Sequence, residues 1–323
     1  MSKNEQIRLH DELTKRLRAA QAQTNPPMSS GQLDILERVM RTAPAPHDID
    51  LDTTKSQVTF YKDERHVTMY SFEALQLAGD LAWKTLLDKA FGGRFLAGRS
   101  PDSLGYEGNL PEPVAMRDWL LERYQNKQNP HPHLGTNVRA NEKIAKAKTL
   151  VPFEGSTQVD VRAIWGEGPR STRLYGEAKF LSDISGSVSY WPVRNQIARN
   201  VEAGLTDCMH ALYPDVKKAE LEIEPASIDN FWFLLITPAL FRDVEPESRL
   251  YGYKMRAYMS DPQSLRRDLA HLSHLTDAHW TQISAQMAWI TWEEIRTALE
   301  QAKSLSSSLQ ADLDTFYDQR QIV

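Results

Sequence analysis

Three side chains in the stretch QVDVRAIWGEGPRSTRLYGEAKFLS (residues 158–182) have the types and spacing for metal-assisted chemistry: Asp160, Glu177 and Lys179. Two alternating arms flank the turn GEGPR, so the stretch reads as a β-hairpin centred near residues 167–169. Antiparallel pairing about that centre brings Asp160 opposite residues 175–178, beside Glu177. Glu177 and Lys179 stand two apart and leave the strand on one face, while Val159, Val161, Ala178 and Phe180 are expected on the other. Two carboxylates side by side repel unless a cation lies between them. Mg²⁺ meets that need, binding through one or two carboxylates with water and substrate phosphate completing its shell, and Mn²⁺ can substitute. The lysine beside them would orient or help deprotonate an attacking water and offset charge developing on phosphorus. A second reading is a surface ion cluster, in which exposed pairs contribute only about 0–1 kcal/mol.

The elements that must position these residues can be read from periodicity. A helix near Val138–Leu150 precedes the hairpin, and PVRNQIARNVEAGLTDCMHAL (192–212) follows it as a long helix with proline in its first turn. FWFLLITPALF reads as a strand buried on both faces. Helices near 261–275 and 277–287, the strand AWITW, a helix capped by Thr291 and Glu294, and a last helix over 305–319 complete the chain. Helix, strand, strand, helix, strand, helices, strand, helix is the order of an α/β fold with a mixed central sheet covered by helices.

Upstream, residues 5–22 read as a helix, and TAPAPHDIDLDTTKS reads as a linker. QVTFY and HVTMY look like short strands around the turn KDER. SFEALQLAGDLAWKTLLDKAF reads as one helix with Ser71 as N-cap and glycines 92 and 93 at its end. A further helix is expected over Pro113–Asn126. This divides the chain into a helical N-terminal segment (1–50), an α+β region (51–130) and a domain carrying the hairpin (131–323).

Asp160 followed by Glu177-Ala178-Lys179 on the next strand resembles the core of the PD-(D/E)XK nucleases, the superfamily of restriction endonucleases and many repair and phage-recombination exonucleases. The resemblance covers about residues 138–240 and extends toward 300. It implies a restriction-endonuclease-like sheet and Mg²⁺-dependent hydrolysis of phosphodiester bonds in DNA, in a restriction or phage-defence setting. It also implies Glu142 as a metal ligand from the helix before the hairpin, with Glu154 as a competitor, and Gln196 beside the site from the helix after it. The chain departs from the family pattern in carrying Asn200 where a tyrosine often follows that glutamine, and Val159 where the motif has proline. Cutting both strands of a duplex takes two sites, which a homodimer would supply.

Arg162, Arg170, Arg173, Arg194 and Arg199 are the candidates for a phosphate track, where contacts add mostly sequence-independent affinity. The net charge of −5 argues against a protein that coats nucleic acid non-specifically, yet a nuclease needs only a basic cleft. Alternatives from other classes are a nuclease acting on RNA and a non-catalytic scaffold whose N-terminal region contacts a protein partner.

With 41% hydrophobic and 25% charged residues the 323-residue chain has the composition of a globular protein. Its single cysteine, Cys208, excludes an intrachain disulfide framework, and its charged first twenty residues lack the apolar stretch of a signal peptide. Both features read as cytoplasmic. His131 and His133 read as loop residues, His271, His274 and His279 as satisfied surface histidines, and Asp215-Val216-Lys217 as a loop triplet lacking a partner aspartate. No phosphate-binding, dinucleotide or nucleophile-elbow glycine motif occurs.

Overall fold

A computed structural model describes residues 64–110, 157–186, 194–216, 222–318 and 320–322, with a few residues between 115 and 122. In chain order its elements are α1 (Glu64–Ala78), α2 (Asp80–Phe91), β1 (Ser103–Leu110), β2 (Thr157–Trp165), β3 (Thr172–Ala178), α3 (Gln196–Leu212), α4 (Pro225–Ile228), β4 (Phe231–Thr237), α5 (Leu250–Ser260), α6 (Pro262–Asp268), α7 (Asp277–Ala285), β5 (Met287–Thr291), α8 (Trp292–Ala302) and α9 (Ser307–Asp318). A π-helical turn over Leu240–Val244 follows β4. The expected helices at 5–22 and 138–150, the linker and the strand QVTFY lie outside the described residues.

The strands form one sheet in the order β1-β2-β3-β4-β5. The first three pair antiparallel, and β4 and β5 join β3 in parallel. The parallel pairs need crossovers, which α3 supplies between β3 and β4, and α5–α7 between β4 and β5. This is the α/β class with a mixed sheet. Side-chain alternation then builds two cores, one on each face. Val161, Ala163, Leu174, Trp232, Leu234 and Ile236 share a cluster with residues of α1, α2, α8 and α9. Tyr175, Phe231, Phe233 and Leu235 share the other with α3, α5 and α7. All seven residues of β4 are buried, as expected for a central strand covered on both sides.

Several elements differ from the sequence-based expectation. HVTMY is not a strand: residues 66–70 lie within α1. Val67 and Thr68 favour strand locally, but Val67, Tyr70, Ala74 and Ala78 recur at helical spacing and are all buried, so tertiary burial overrides the local preference. Ser71 is not an N-cap; it is buried inside α1, where its hydroxyl accepts a hydrogen bond from Tyr317 at 2.8 Å. Gly79, at φ 83°, divides the expected long helix into α1 and α2. β1 has no counterpart among the expected elements, because Gly105 and Gly108 dilute its pattern; pairing with β2 selects it. Residues 64–110, which the sequence sets apart from the hairpin domain, contribute α1, α2 and β1 to the same sheet and core. Among the described residues no helix is long and apolar enough to cross a membrane.

α3 lies close on the sheet because it carries Gly204. A Cβ there would sit 2.7 Å from Phe231 Cε2 and 2.9 Å from Tyr175 Cδ2, two buried rings stacked with centroids 5.8 Å apart. Alanine is the better helix former by about 1 kcal/mol. Gly204→Ala is nevertheless expected to destabilise the fold, since overpacking costs about 1–3 kcal/mol. Urea unfolding measures the balance, and a variant more stable than the wild type would contradict this packing.

Candidate functional site

The turn that closes the hairpin uses Gly166 and Gly168, both at positive φ, and sets the register Val161 opposite Gly176. The paired register ends there, and Asp160, the next residue of β2, reaches β3 through its side chain, which accepts from the Ala178 amide and so lies beside Glu177. Val161, Ala178 and Phe180 enter the core on the opposite face, as expected, whereas Val159 packs with the α3-side layer. The carboxylates face α3, and the site assembles between that helix and the carboxyl end of β3.

Glu177 is buried and surrounded by donors. Lys179 Nζ lies 2.7 Å from its Oε1, Gln196 Nε2 donates to the same oxygen at 2.6 Å, and Asn200 Nδ2 donates to Oε2. Asp160, half-buried, accepts a hydrogen bond from the Ala178 amide at 2.7 Å. Asp160, Glu177, Lys179 and Gln196 are therefore brought together. Gln196 is held by the chain preceding its helix: its Oε1 accepts from Ser185 N–H at 3.3 Å, which leaves the amide nitrogen for Glu177.

Two residues of the site have no assigned role in the sequence reading. Glu64, in the first turn of α1, places Oε2 3.3 Å from Lys179 Nζ and accepts a hydrogen bond from Ser182. Sequence reasoning puts it in a turn between strands, and so misses the helix that aims it. Asn200, which enters the sequence reading only as a departure from the family tyrosine, donates to the same carboxylate as Gln196, because residues four apart share one helix face. Glu142 and Glu154, the expected additional acids, lie outside the described residues, as do His131 and His133.

Electrostatics follow from this crowding. Burial first, and then the Glu177 charge, push the Asp160 carboxyl well above the usual carboxylate range. Burial likewise raises Glu177, opposed by Lys179 and the Asn200 hydrogen bond. Burial alone would lower Lys179, but Glu177, Glu64 and Asp160 outweigh it and hold the amine above the ordinary lysine range. Around Lys179 the three carboxylates therefore favour the ammonium form, which suits orienting and neutralising.

The residues fit a hard divalent cation in charge and donor type. Of the roughly four lone-pair sites on each carboxylate, hydrogen bonds occupy one on Asp160 and three on Glu177, so both retain acceptor capacity. Among the described residues, no three His, Cys, Asp or Glu side chains stand close enough together to hold a metal unaided. Water and substrate oxygens would complete the shell, as is usual for Mg²⁺.

The proposed phosphate track is only partly exposed. Arg162 and Arg173 both pair with Asp207, at 2.6 and 3.1 Å, and Tyr175 donates to the same carboxylate. That cluster ties β2 and β3 to α3. Arg194 is completely buried against Glu202 at 2.5 Å and cannot meet a phosphate in solvent. Its place follows from the sequence only in hindsight, because Glu202 stands eight residues on, facing the same interior. Arg170 is exposed in the hairpin turn, and Arg199 is half-buried on the site side of α3.

A second polar network fixes the start of α3. Asn195 caps the helix by accepting from Ala198 N–H at 3.2 Å, and its amide donates to Tyr258 at 2.6 Å and Asp268 at 3.1 Å. Lys254 closes the network with Asp268 at 2.6 Å. His271, expected at the surface, is buried 2.5 Å from Glu202. His274 meets the Ile223 carbonyl at 2.7 Å, and His279 completes the capping box of α7. Cys208 is buried.

Compared with protein-family models, curated proteins and solved structures, the chain matches none.

Proposed function

We propose that this chain is a metal-dependent nuclease of the PD-(D/E)XK type, hydrolysing phosphodiester bonds in DNA. The observation that carries the reading is the convergence of Asp160, Glu177 and Lys179 on one sheet end, with Gln196 oriented onto Glu177 from the next helix. Asp160 and Glu177 would hold Mg²⁺ or Mn²⁺, and the metal when bound polarises the phosphate and activates water. Lys179 stabilises the charge that builds on the phosphoryl oxygens. Gln196 and Asn200 keep Glu177 in one orientation, so the carboxylate does not have to be ordered when substrate arrives. Glu64 holds the ammonium from the other side.

A second reading is a non-catalytic protein on this fold, favoured by one observation: three donors already engage Glu177, as in a structural ion cluster. Cleavage of plasmid and linear DNA with Mg²⁺, Mn²⁺ or chelator separates the two. The expected result is metal-dependent cutting that falls by about 10²–10³ in Lys179→Ala, the size typical for removing one charge-stabilising group. Cutting of RNA alone would reassign the substrate. DNA and RNA left intact under all conditions would favour the ion cluster and the scaffold reading.

A further inference from the structure

With Arg162 and Arg173 held by Asp207 and Arg194 by Glu202, a substrate strand needs another cationic surface, and α5 offers one. Residues 248–260 hold Arg249, Lys254 and Arg256 and no carboxylate, in a chain whose net charge is −5. The exposed Glu245 and Glu247 precede this segment, and Lys254 is engaged by Asp268. Arg249, Tyr253 and Arg256 recur at helical spacing and share the outward face, while Tyr251, Met255 and Tyr258 are buried on the other. Tyr253 is 55% exposed, and Arg256 is exposed beside it. Among the described residues neither of these two side chains makes a hydrogen bond, ion pair or ring contact.

This face begins at the candidate site. Asp183, in the chain just past Lys179, anchors the start of α5 by accepting from the Leu250 amide at 2.7 Å and the Tyr251 amide at 3.3 Å. Arg249 lies 4.3 Å from the centroid of the Phe241 ring and donates to the Leu181 carbonyl at 3.4 Å. Burial pushes the Tyr251 hydroxyl up, and the charges of Arg249, Asp183, Glu64 and Lys179 all act on it, so the start of α5 and the site share one neighbourhood. The two arginines stand about 10 Å apart along the helix axis, with the exposed ring of Tyr253 between them. Spaced cations with an aromatic ring among them suit a polyanion that also presents flat rings. A duplex keeps its bases stacked on one another, whereas a single strand can lay a base on the tyrosine.

We infer that the outward face of α5, through Arg249, Tyr253 and Arg256, holds single-stranded DNA on its way to the Asp160–Glu177 site. One base stacks on Tyr253, and the two arginines meet phosphates on either side of it. The inference rests on the nuclease reading of that site and deepens it by naming the form of the substrate and the surface that binds it.

The test is binding of labelled single-stranded and duplex DNA oligonucleotides, in chelator and over a salt series, to the full chain, Tyr253→Ala, Tyr253→Phe and Arg256→Ala. Cleavage of the same oligonucleotides is measured alongside in Mg²⁺. The wild type should bind the single strand about tenfold tighter than the duplex. Tyr253→Ala should lose about tenfold, the size of one stacking contact, whereas Tyr253→Phe, which keeps the ring, should bind like wild type. Arg256→Ala should weaken binding and reduce the salt slope by about 0.7, the share of one phosphate contact. Both positions are exposed, so melting temperatures should not move. Lys84→Ala, at an exposed cation of α2 on the opposite face of the sheet, should change nothing. Tighter binding of the duplex, no saturable binding, or single-strand affinity unaltered by Tyr253→Ala and Arg256→Ala would overturn the surface. Binding lost in those variants, with no cleavage by the wild type, would keep the surface and reject the nuclease. Cleavage by the wild type that is undiminished in both variants would do the reverse.

Discussion

Asn in place of Asp160 will abolish cleavage and, at neutral pH without divalent metal, make the protein more stable. The two effects share a cause. Asp160 is held beside Glu177, and burial together with that neighbouring charge raises its carboxyl well above the usual range. A carboxylate whose pKa is raised on folding destabilises the folded state once ionised. That cost is absent below the ordinary value of 3.8 and grows as pH rises through and beyond it. Asparagine removes the charge, and its side-chain oxygen can still accept from the Ala178 amide. The gain should be about 1–2 kcal/mol, of the size seen when a strained functional group is removed. For a chain of this size it corresponds to a few degrees in melting temperature. The difference between variant and wild type should shrink toward zero by about pH 4. Saturating Mg²⁺ should stabilise the wild type and leave the variant unmoved, because only the former gains binding energy in the folded state. On the proposed function, cleavage should fall by at least about 10³, since both a proposed metal ligand and the local charge balance would be lost. Thermal melts at pH 4 and 7, with and without Mg²⁺, provide the measurement. A variant less stable than wild type at pH 7 would mean that the Asp160 carboxylate serves the fold, and the functional reading would lose its main support.

The largest loss of stability is expected from Arg194→Ala. Arg194 and Glu202 are both completely buried and 2.5 Å apart, with His271 on the second oxygen of Glu202. Removing one member of a buried pair strands the other's charge, which costs about 3–5 kcal/mol. Replacing Arg194 and Glu202 together with apolar residues of similar volume should recover most of that loss. The pH dependence has a definite sign. Burial pushes the Glu202 carboxyl up, but the Arg194 charge and His271 outweigh it and bring it down to about 2, against an ordinary value of 4.5. A depressed carboxylate contributes stability that is fully present above 4.5 and disappears as pH falls through about 2. The shift corresponds to a contribution on the order of 3 kcal/mol. The wild type should therefore lose stability between pH 4.5 and 2 more steeply than Glu202→Leu paired with Arg194→Met. Urea unfolding at pH 7 and pH 3 tests both statements. An Arg194→Ala variant within about 1 kcal/mol of wild type at pH 7 would show that the pair is not held as described. Because the pair anchors α3, a correctly folded fraction of this variant should also misplace Gln196 and Asn200.

Much of the site is legible in the order of the residues. A hairpin turn with two glycines sets an antiparallel register by arithmetic, and a two-residue period puts Glu177 and Lys179 on one face; both are local rules. The capping box of Thr291 and Glu294 and the closing Gly92 are legible for the same reason. The misreadings are those of long range. HVTMY has strand-forming residues, but its helical form buries Val67 and Tyr70 against the sheet. Glu64 reaches Lys179 across 115 positions, and no period links them. The arginines read as a phosphate track have the right type, yet Asp207 and Glu202 claim Arg162, Arg173 and Arg194, and only packing shows which cations are already paired.

What the sequence by itself determined is the placement of Asp160 beside Glu177, the face of Lys179 and the α/β order of elements, because each follows from the geometry of adjacent residues. Only the tertiary structure decided that three carboxylates outweigh burial at Lys179, that Glu64 and Asn200 lie beside Lys179 and Glu177, and that Thr157 and Asn200 line one pocket. Those outcomes depend on burial and on contacts between distant segments. Desolvation and charge proximity are properties of the packed interior, and no local stretch of chain carries them.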